Sequence, residues 1–294
     1  MKREIFESDI GESYVKAVLP SGLRVYILEK PQYTSAYALF GTKYGSIDTC
    51  FKVNGEEISV PEGIAHFLEH KLFESEDGDA FTKYAKTGAY ANAFTSFDRT
   101  CYLFSCSDRF YENLDILLSF VQSPYFTEQT VKKEQGIIGQ EIRMYDDSPA
   151  WRVMFNMLMA MYHNHPVRID IAGTVESIAK IDYNLLYKCY NTFYNPSNMF
   201  ICIAGNVDSE KVLKQINQGI KPSEPLEITR ISSEEPKEIV KPYVEQKLAV
   251  AQPIFCFGYK EAVNKPNLSL KERICSALLI EIIAGDSSPL YKRL

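Results

Sequence analysis

Apolar and polar positions change period several times along the chain, and each change marks an element. Residues 14–19 and 23–28 alternate around a Pro-Ser-Gly turn at 20–22, the pattern of a β-hairpin. A second strand pair is expected over 35–43 and 46–52, around Tyr44-Gly45, with 56–60 as a loop. Pro61-Glu62-Gly63 opens a helix reaching about Phe73, and a shorter helix over 79–87 stops at Gly88. Strand-like runs follow at 89–94 and 100–106.

The next hundred residues are mainly of helical period. Phe110, Leu114, Leu117, Leu118 and Val121 recur at helical spacing within 108–122. Thr127 is placed to cap a long helix reaching Tyr145, and further helices are expected over 151–162, 182–193 and 209–219. An apolar strand at 199–204 returns among them. Strands, then helices, then a returning strand predict an α+β fold, a mostly antiparallel sheet with helices packed on it. Residues 221–242, rich in Pro and Glu, are expected to be a linker. Beyond it, 247–259 has a strand pattern and 268–283 an amphipathic helical one. The expected organisation is a domain over 1–220, the linker, and the beginning of a second α/β domain over 243–294.

Composition narrows the function classes. The 294 residues are 46% hydrophobic and 24% charged, an ordinary globular balance. A net charge of −6 advertises no basic face for nucleic acid or an anionic membrane. Seven scattered cysteines without a CxxC pair suggest reduced thiols and a cytoplasmic location. Residues 1–9 are charged and lack the apolar core of a signal peptide, and no run is long and apolar enough to span a bilayer.

The chemistry concentrates in His66-Phe67-Leu68-Glu69-His70, which holds two of the chain's four histidines. In a chain of this composition that spacing arises by chance roughly once in two hundred. On a helix, His66, Glu69 and His70 fall within an arc of ~100°. Two imidazoles one turn apart can bind one metal ion, leaving the carboxylate beside it. Zinc accepts two His nitrogens and a carboxylate and keeps a position open for water at a catalytic site. The neighbours Ile64, Ala65, Phe67, Leu68 and Leu72 are apolar, so the helix is expected to be buried. A third ligand belongs on another element. Glu134 and Glu141 lie seven apart on the long helix, close to one face, and spacing does not choose between them. His163-Asn164-His165 has no basic surroundings, and His165-Pro166 is expected to be a loop.

The run from Pro61 to His70 resembles the insulinase/pitrilysin family of zinc metallopeptidases, the inverzincins, which includes mitochondrial processing peptidase. So do Asn92-Ala93-Phe94-Thr95-Ser96, the Glu134-x6-Glu141 helix, Trp151-Arg152 and His165-Pro166. The narrower likeness is to short bacterial processing-protease homologues. The resemblance implies the metalloprotease domain fold of the processing-peptidase type and one Zn2+ per chain, held by His66, His70 and Glu141. It implies Glu69 as general base, with Glu134 supporting the site from behind. Asn92, Ala93 and Phe94 would lie on an edge strand that captures an extended peptide. The implied activity is hydrolysis of peptides or unfolded protein segments by a zinc-activated water. The alternative is a non-cleaving peptide-binding or scaffold subunit of a processing or modification complex. Implied partners are a peptide substrate and a second subunit, identical or related, with neither nucleic acid nor membrane. Residues 287–294 resemble the early part of the family's second domain, whose later residues help hold substrate, so activity of the 294-residue chain is not implied.

Overall fold

The computed structural model describes residues 2–9, 11–76, 78–261 and 268–293. In chain order the strands and helices are β1 (Lys2–Glu7), β2 (Ser13–Val18), β3 (Arg24–Glu29), β4 (Ala36–Thr42), β5 (Cys50–Val53), β6 (Glu56–Ser59), α1 (Ile64–Leu72), β7 (Glu74–Ser75), β8 (Gly78–Asp79), α2 (Ala80–Thr87), β9 (Tyr90–Thr95), β10 (Thr100–Cys106), α3 (Phe110–Val121), α4 (Glu128–Asp146), α5 (Pro149–Met161), α6 (Val175–Ile178), α7 (Tyr183–Phe193), β11 (Met199–Gly205), α8 (Ser209–Gly219), β12 (Ile228–Arg230) and α9 (Leu270–Ala284). They fall in two compact units, Met1–Phe257 and Gly258–Leu294.

The larger unit is built on a sheet of seven strands in the order β1-β2-β3-β11-β4-β10-β9. Neighbouring pairs are antiparallel except β11 with β3, which run parallel. That is the α+β architecture expected from the sequence. The alternating inward positions, among them Ala17, Val25, Ile27, Ala38, Phe40, Tyr102, Phe104 and Ile201, are almost wholly buried. Helix α1 packs on β9, β10, α4 and α7, while α3 packs on β4, β10, α2 and α8. The strand β9 lies at one edge of the sheet and, among the described residues, pairs only with β10.

Three local expectations are corrected. The strand β5 does not pair with β4; it forms a separate sheet with β6 and β12. Residues 56–59 are a strand, because Asn54 and Gly55 take positive φ, 51° and 82°, and close a two-residue hairpin between β5 and β6. Asn-Gly is the sequence best suited to such a turn, and the strands are only four residues long. Residues 247–259 form no strand among the described residues, since no neighbouring edge takes them up. Within 221–242, Ile228–Arg230 is β12, pinned by Arg230 Nε donating to Asp48 Oδ1 at 2.7 Å.

In the smaller unit, α9 occupies the expected helical segment and is capped by Ser269, whose hydroxyl accepts from Glu272 N at 3.3 Å. All seven cysteines are free, and among the described residues no helix is long and apolar enough to cross a membrane.

Candidate metal centre

Helix α1 begins at a backbone position that only glycine fills easily. Gly63, its N-cap, has φ 87°, and a Cβ there would sit 2.3 Å from Ala172 O. The contact is reinforced by Ser177, whose hydroxyl donates to Glu62 O at 2.9 Å. From this start, Ile64, Ala65, Phe67, Leu68 and Leu72 bury one face. The remaining arc turns His66, Glu69 and His70 toward α4 and β9. The phase of α4 is set by Thr127, which accepts from Thr130 N at 3.2 Å as the predicted cap.

These two helices bring His66, His70 and Glu141 together, with one ligand atom of each within 4.8 Å of the others. Glu141 Oε1 is 3.7 Å from His66 Nε2, and Oε2 is 3.4 Å from His70 Nε2. Glu134 lies on the other side of His70, its Oε1 3.0 Å from Nδ1. Space therefore separates the two glutamates that spacing left open: Glu141 faces both imidazoles, whereas Glu134 backs one.

The donor set fits a zinc ion. Two Nε2 atoms and a carboxylate converge, which is the ligand chemistry zinc takes. His66 is buried, and its Nδ1 makes no hydrogen bond. Burial and the neighbouring His70 hold its pKa down at about 4, so it is a neutral imidazole with a lone pair to offer. Burial opposes charge on His70 too, but hydrogen bonds to Glu134 and Glu141 outweigh it and raise the pKa to about 10. Glu141 is drawn down to about 2, first by its hydrogen bond to His70. Without metal, a protonated His70 has one N–H for each carboxylate, Nδ1 toward Glu134 and Nε2 toward Glu141.

Glu69 stands beside this cluster without joining it. Its Oε2 accepts a hydrogen bond from Thr95 Oγ1 at 2.6 Å, and burial raises its pKa above the ordinary carboxylate value. Two adjoining clefts, of about 570 and 220 Å3, both touch Glu69, His70 and Ala93. Asn92 lines the larger, and Phe94 and Thr95 the smaller. On β9, Asn92 and Phe94 share the exposed face, while Ala93 and Thr95 turn inward.

Sequence reasoning did not single out Thr95 or Tyr145. Thr95 follows Ala91 and Ala93 on the inward face of β9, and a hydroxyl closing that small apolar row was the available signal. Tyr145 lies one turn beyond Glu141, and its hydroxyl donates to Glu141 Oε1 at 2.7 Å. His165 does not enter the cluster; its Nδ1 accepts from Val167 N at 3.1 Å and caps a short turn.

Comparison with known proteins gives this geometry a context. Residues 56–175 match Insulinase (Peptidase family M16), and residues 180–294 match the Peptidase M16 inactive domain. The whole chain is 49% identical to a Bacillus subtilis protein named uncharacterized zinc protease YmfH, of which it covers 70%. Another from Bacillus subtilis, uncharacterized zinc protease YmxG, is 30% identical over 79% of this chain and 57% of its own length. Among solved structures, an M16-like protein of Alicyclobacillus acidocaldarius has a TM-score of 0.76 at 42% identity, over 82% of this chain and 56% of that one. A protease from Helicobacter pylori shares the fold, with a TM-score of 0.66 at 24% identity over 77% and 55% of the two chains. The chain thus spans little more than half the length of most of these relatives.

Proposed function

This chain belongs to the insulinase family of peptidases, M16, and from that premise we propose that it is a zinc-dependent metalloendopeptidase acting on extended peptides or unfolded segments. The observation that carries the reading is the meeting of His66, His70 and Glu141 beside the Glu69 carboxylate, all within the 56–175 match. The names of the relatives, zinc proteases, agree with that donor set.

His66, His70 and Glu141 would hold one zinc ion, which polarises the scissile carbonyl and lowers the pKa of water when bound. Glu69 then takes a proton from the attacking water and delivers it to the leaving amine. Its raised pKa suits both transfers, since a base and acid work best near the operating pH. Thr95 holds the carboxylate in place through its hydroxyl. Glu134 fixes the ring of His70 from behind.

Substrate capture falls to β9. Its outer edge has no strand partner among the described residues, and it runs past Glu69 from one cleft into the other. An extended peptide paired there would bring main-chain carbonyls to the His66-His70-Glu141 site beside Glu69 in sequence-tolerant fashion, with Asn92, Ala93 and Phe94 alongside it. The test is metal analysis together with cleavage of a quenched peptide by zinc-loaded protein. Stoichiometric zinc and cleavage support the reading. Zinc-loaded protein that cuts no peptide overturns it.

A further inference from the structure

The carboxylate of Glu141 has a support that the histidine pair does not provide. Tyr145, one helical turn along α4, donates its hydroxyl to Oε1 at 2.7 Å. Its ring is itself held. It stacks on Trp151 at the start of α5, with centroids 4.6 Å apart and planes 17° from parallel. The Trp151 indole N–H donates to Asp170. The other oxygen of Asp170 accepts from Ala172 N at 3.0 Å, which ties it to the segment packed against Gly63.

We infer that Tyr145 is a positioning residue for the metal centre, its hydroxyl fixing the plane of Glu141 so that both carboxylate oxygens face the two Nε2 atoms. A carboxylate on a half-exposed side chain rotates about its last bond, and each wrong orientation removes a ligand from the site. One hydrogen bond to Oε1 from a ring that is itself clamped removes that freedom. Glu134 does the same for His70, so two of the three ligand side chains have a dedicated partner. The third, His66, is held by burial. The chain of contacts from Tyr145 through Trp151 to Asp170 also links the Glu141 carboxylate to the backbone that starts α1, where the other two ligands sit.

The inference rests on the zinc reading of the site, and the experiment separates the two. Zinc affinity is measured by competition with a chromophoric chelator for the wild-type protein, Tyr145→Phe and Trp151→Phe. The d–d absorption of each cobalt-loaded protein is recorded alongside. Tyr145→Phe keeps the ring on Trp151 and removes only the hydroxyl. It should bind zinc about 10–100-fold more weakly and shift the cobalt spectrum, with the zinc-free circular dichroism unchanged. Trp151→Phe keeps an aromatic stack without the indole N–H and should lose less affinity than Tyr145→Phe. Wild-type zinc affinity and an unshifted cobalt spectrum in Tyr145→Phe overturn the role of Tyr145. A greater loss in Trp151→Phe than in Tyr145→Phe also overturns it. Failure of the wild-type protein to bind zinc overturns the site itself.

Discussion

Glu134 Oε1 lies 3.0 Å from His70 Nδ1, on the side of the ring away from the Glu141 carboxylate. A carboxylate in that place orients the imidazole and makes its far nitrogen a better donor. Glu134→Gln keeps the shape but loses the charge, and it should weaken zinc binding about 10–100-fold without removing the site. Chelator competition checks this; an unchanged affinity would mean that Glu134 only fills space.

Glu69 lies outside the His66-His70-Glu141 group, and its carboxylate accepts a hydrogen bond from Thr95. Glu69→Gln should therefore retain stoichiometric zinc while peptide cleavage falls by roughly 10²–10⁴-fold or more. His70→Ala should lose both. Metal content and a quenched-peptide assay on the same samples distinguish the roles, and loss of zinc from Glu69→Gln would contradict them.

As a zinc ligand, His70 would be contested by a proton. In the metal-free protein its pKa is about 10, so zinc binding near neutrality expels one proton there, whereas His66 at about 4 has none to lose. Affinity should climb about tenfold per pH unit from ~7 to ~9. Stability of the metal-free protein runs the other way. The raised His70 contributes fully below its unfolded value of 6.5, and that contribution is lost as pH rises through about 10. Glu141, depressed to about 2, contributes above 4.5 and is lost as pH falls toward 2. Urea denaturation with and without zinc across pH 7–9 reads the divergence.

Gly63→Ala tests how the ligand helix is seated. The new methyl would meet Ala172 O at 2.3 Å in a left-handed backbone conformation. The expected loss is about 2–4 kcal/mol of unfolding free energy, read by urea denaturation. Since Ala172 also borders the smaller cleft, zinc affinity should fall with it.

Much of this arrangement is legible in the sequence. The 3.6-residue period phases His66, Glu69 and His70 on α1, and Thr127 announces the start of α4, so the two ligand-bearing elements follow from local rules. What local rules do not contain is the choice between Glu134 and Glu141, which depends on how α4 crosses α1. The same holds for β5. Its partners are a turn-linked neighbour and β12, about 175 positions later, a pairing no window of sequence displays. Alternation over 247–259 has the opposite lesson: a strand pattern without a strand beside it remains unpaired. Tyr145 escaped because its contribution is one hydroxyl reaching back a turn, which leaves no trace in a hydrophobic pattern.

The position of β11 has a consequence in time. It lies between β3 and β4, pairing with residues 24–29 on one side and 36–42 on the other, yet it is residues 199–205 of the chain. During synthesis and refolding the middle of the sheet is therefore a gap, with two apolar strand edges waiting on a segment some 160 residues away. Non-local pairing of this kind is intrinsically slow, and until it forms the two open edges are the ones a neighbouring chain can pair with instead.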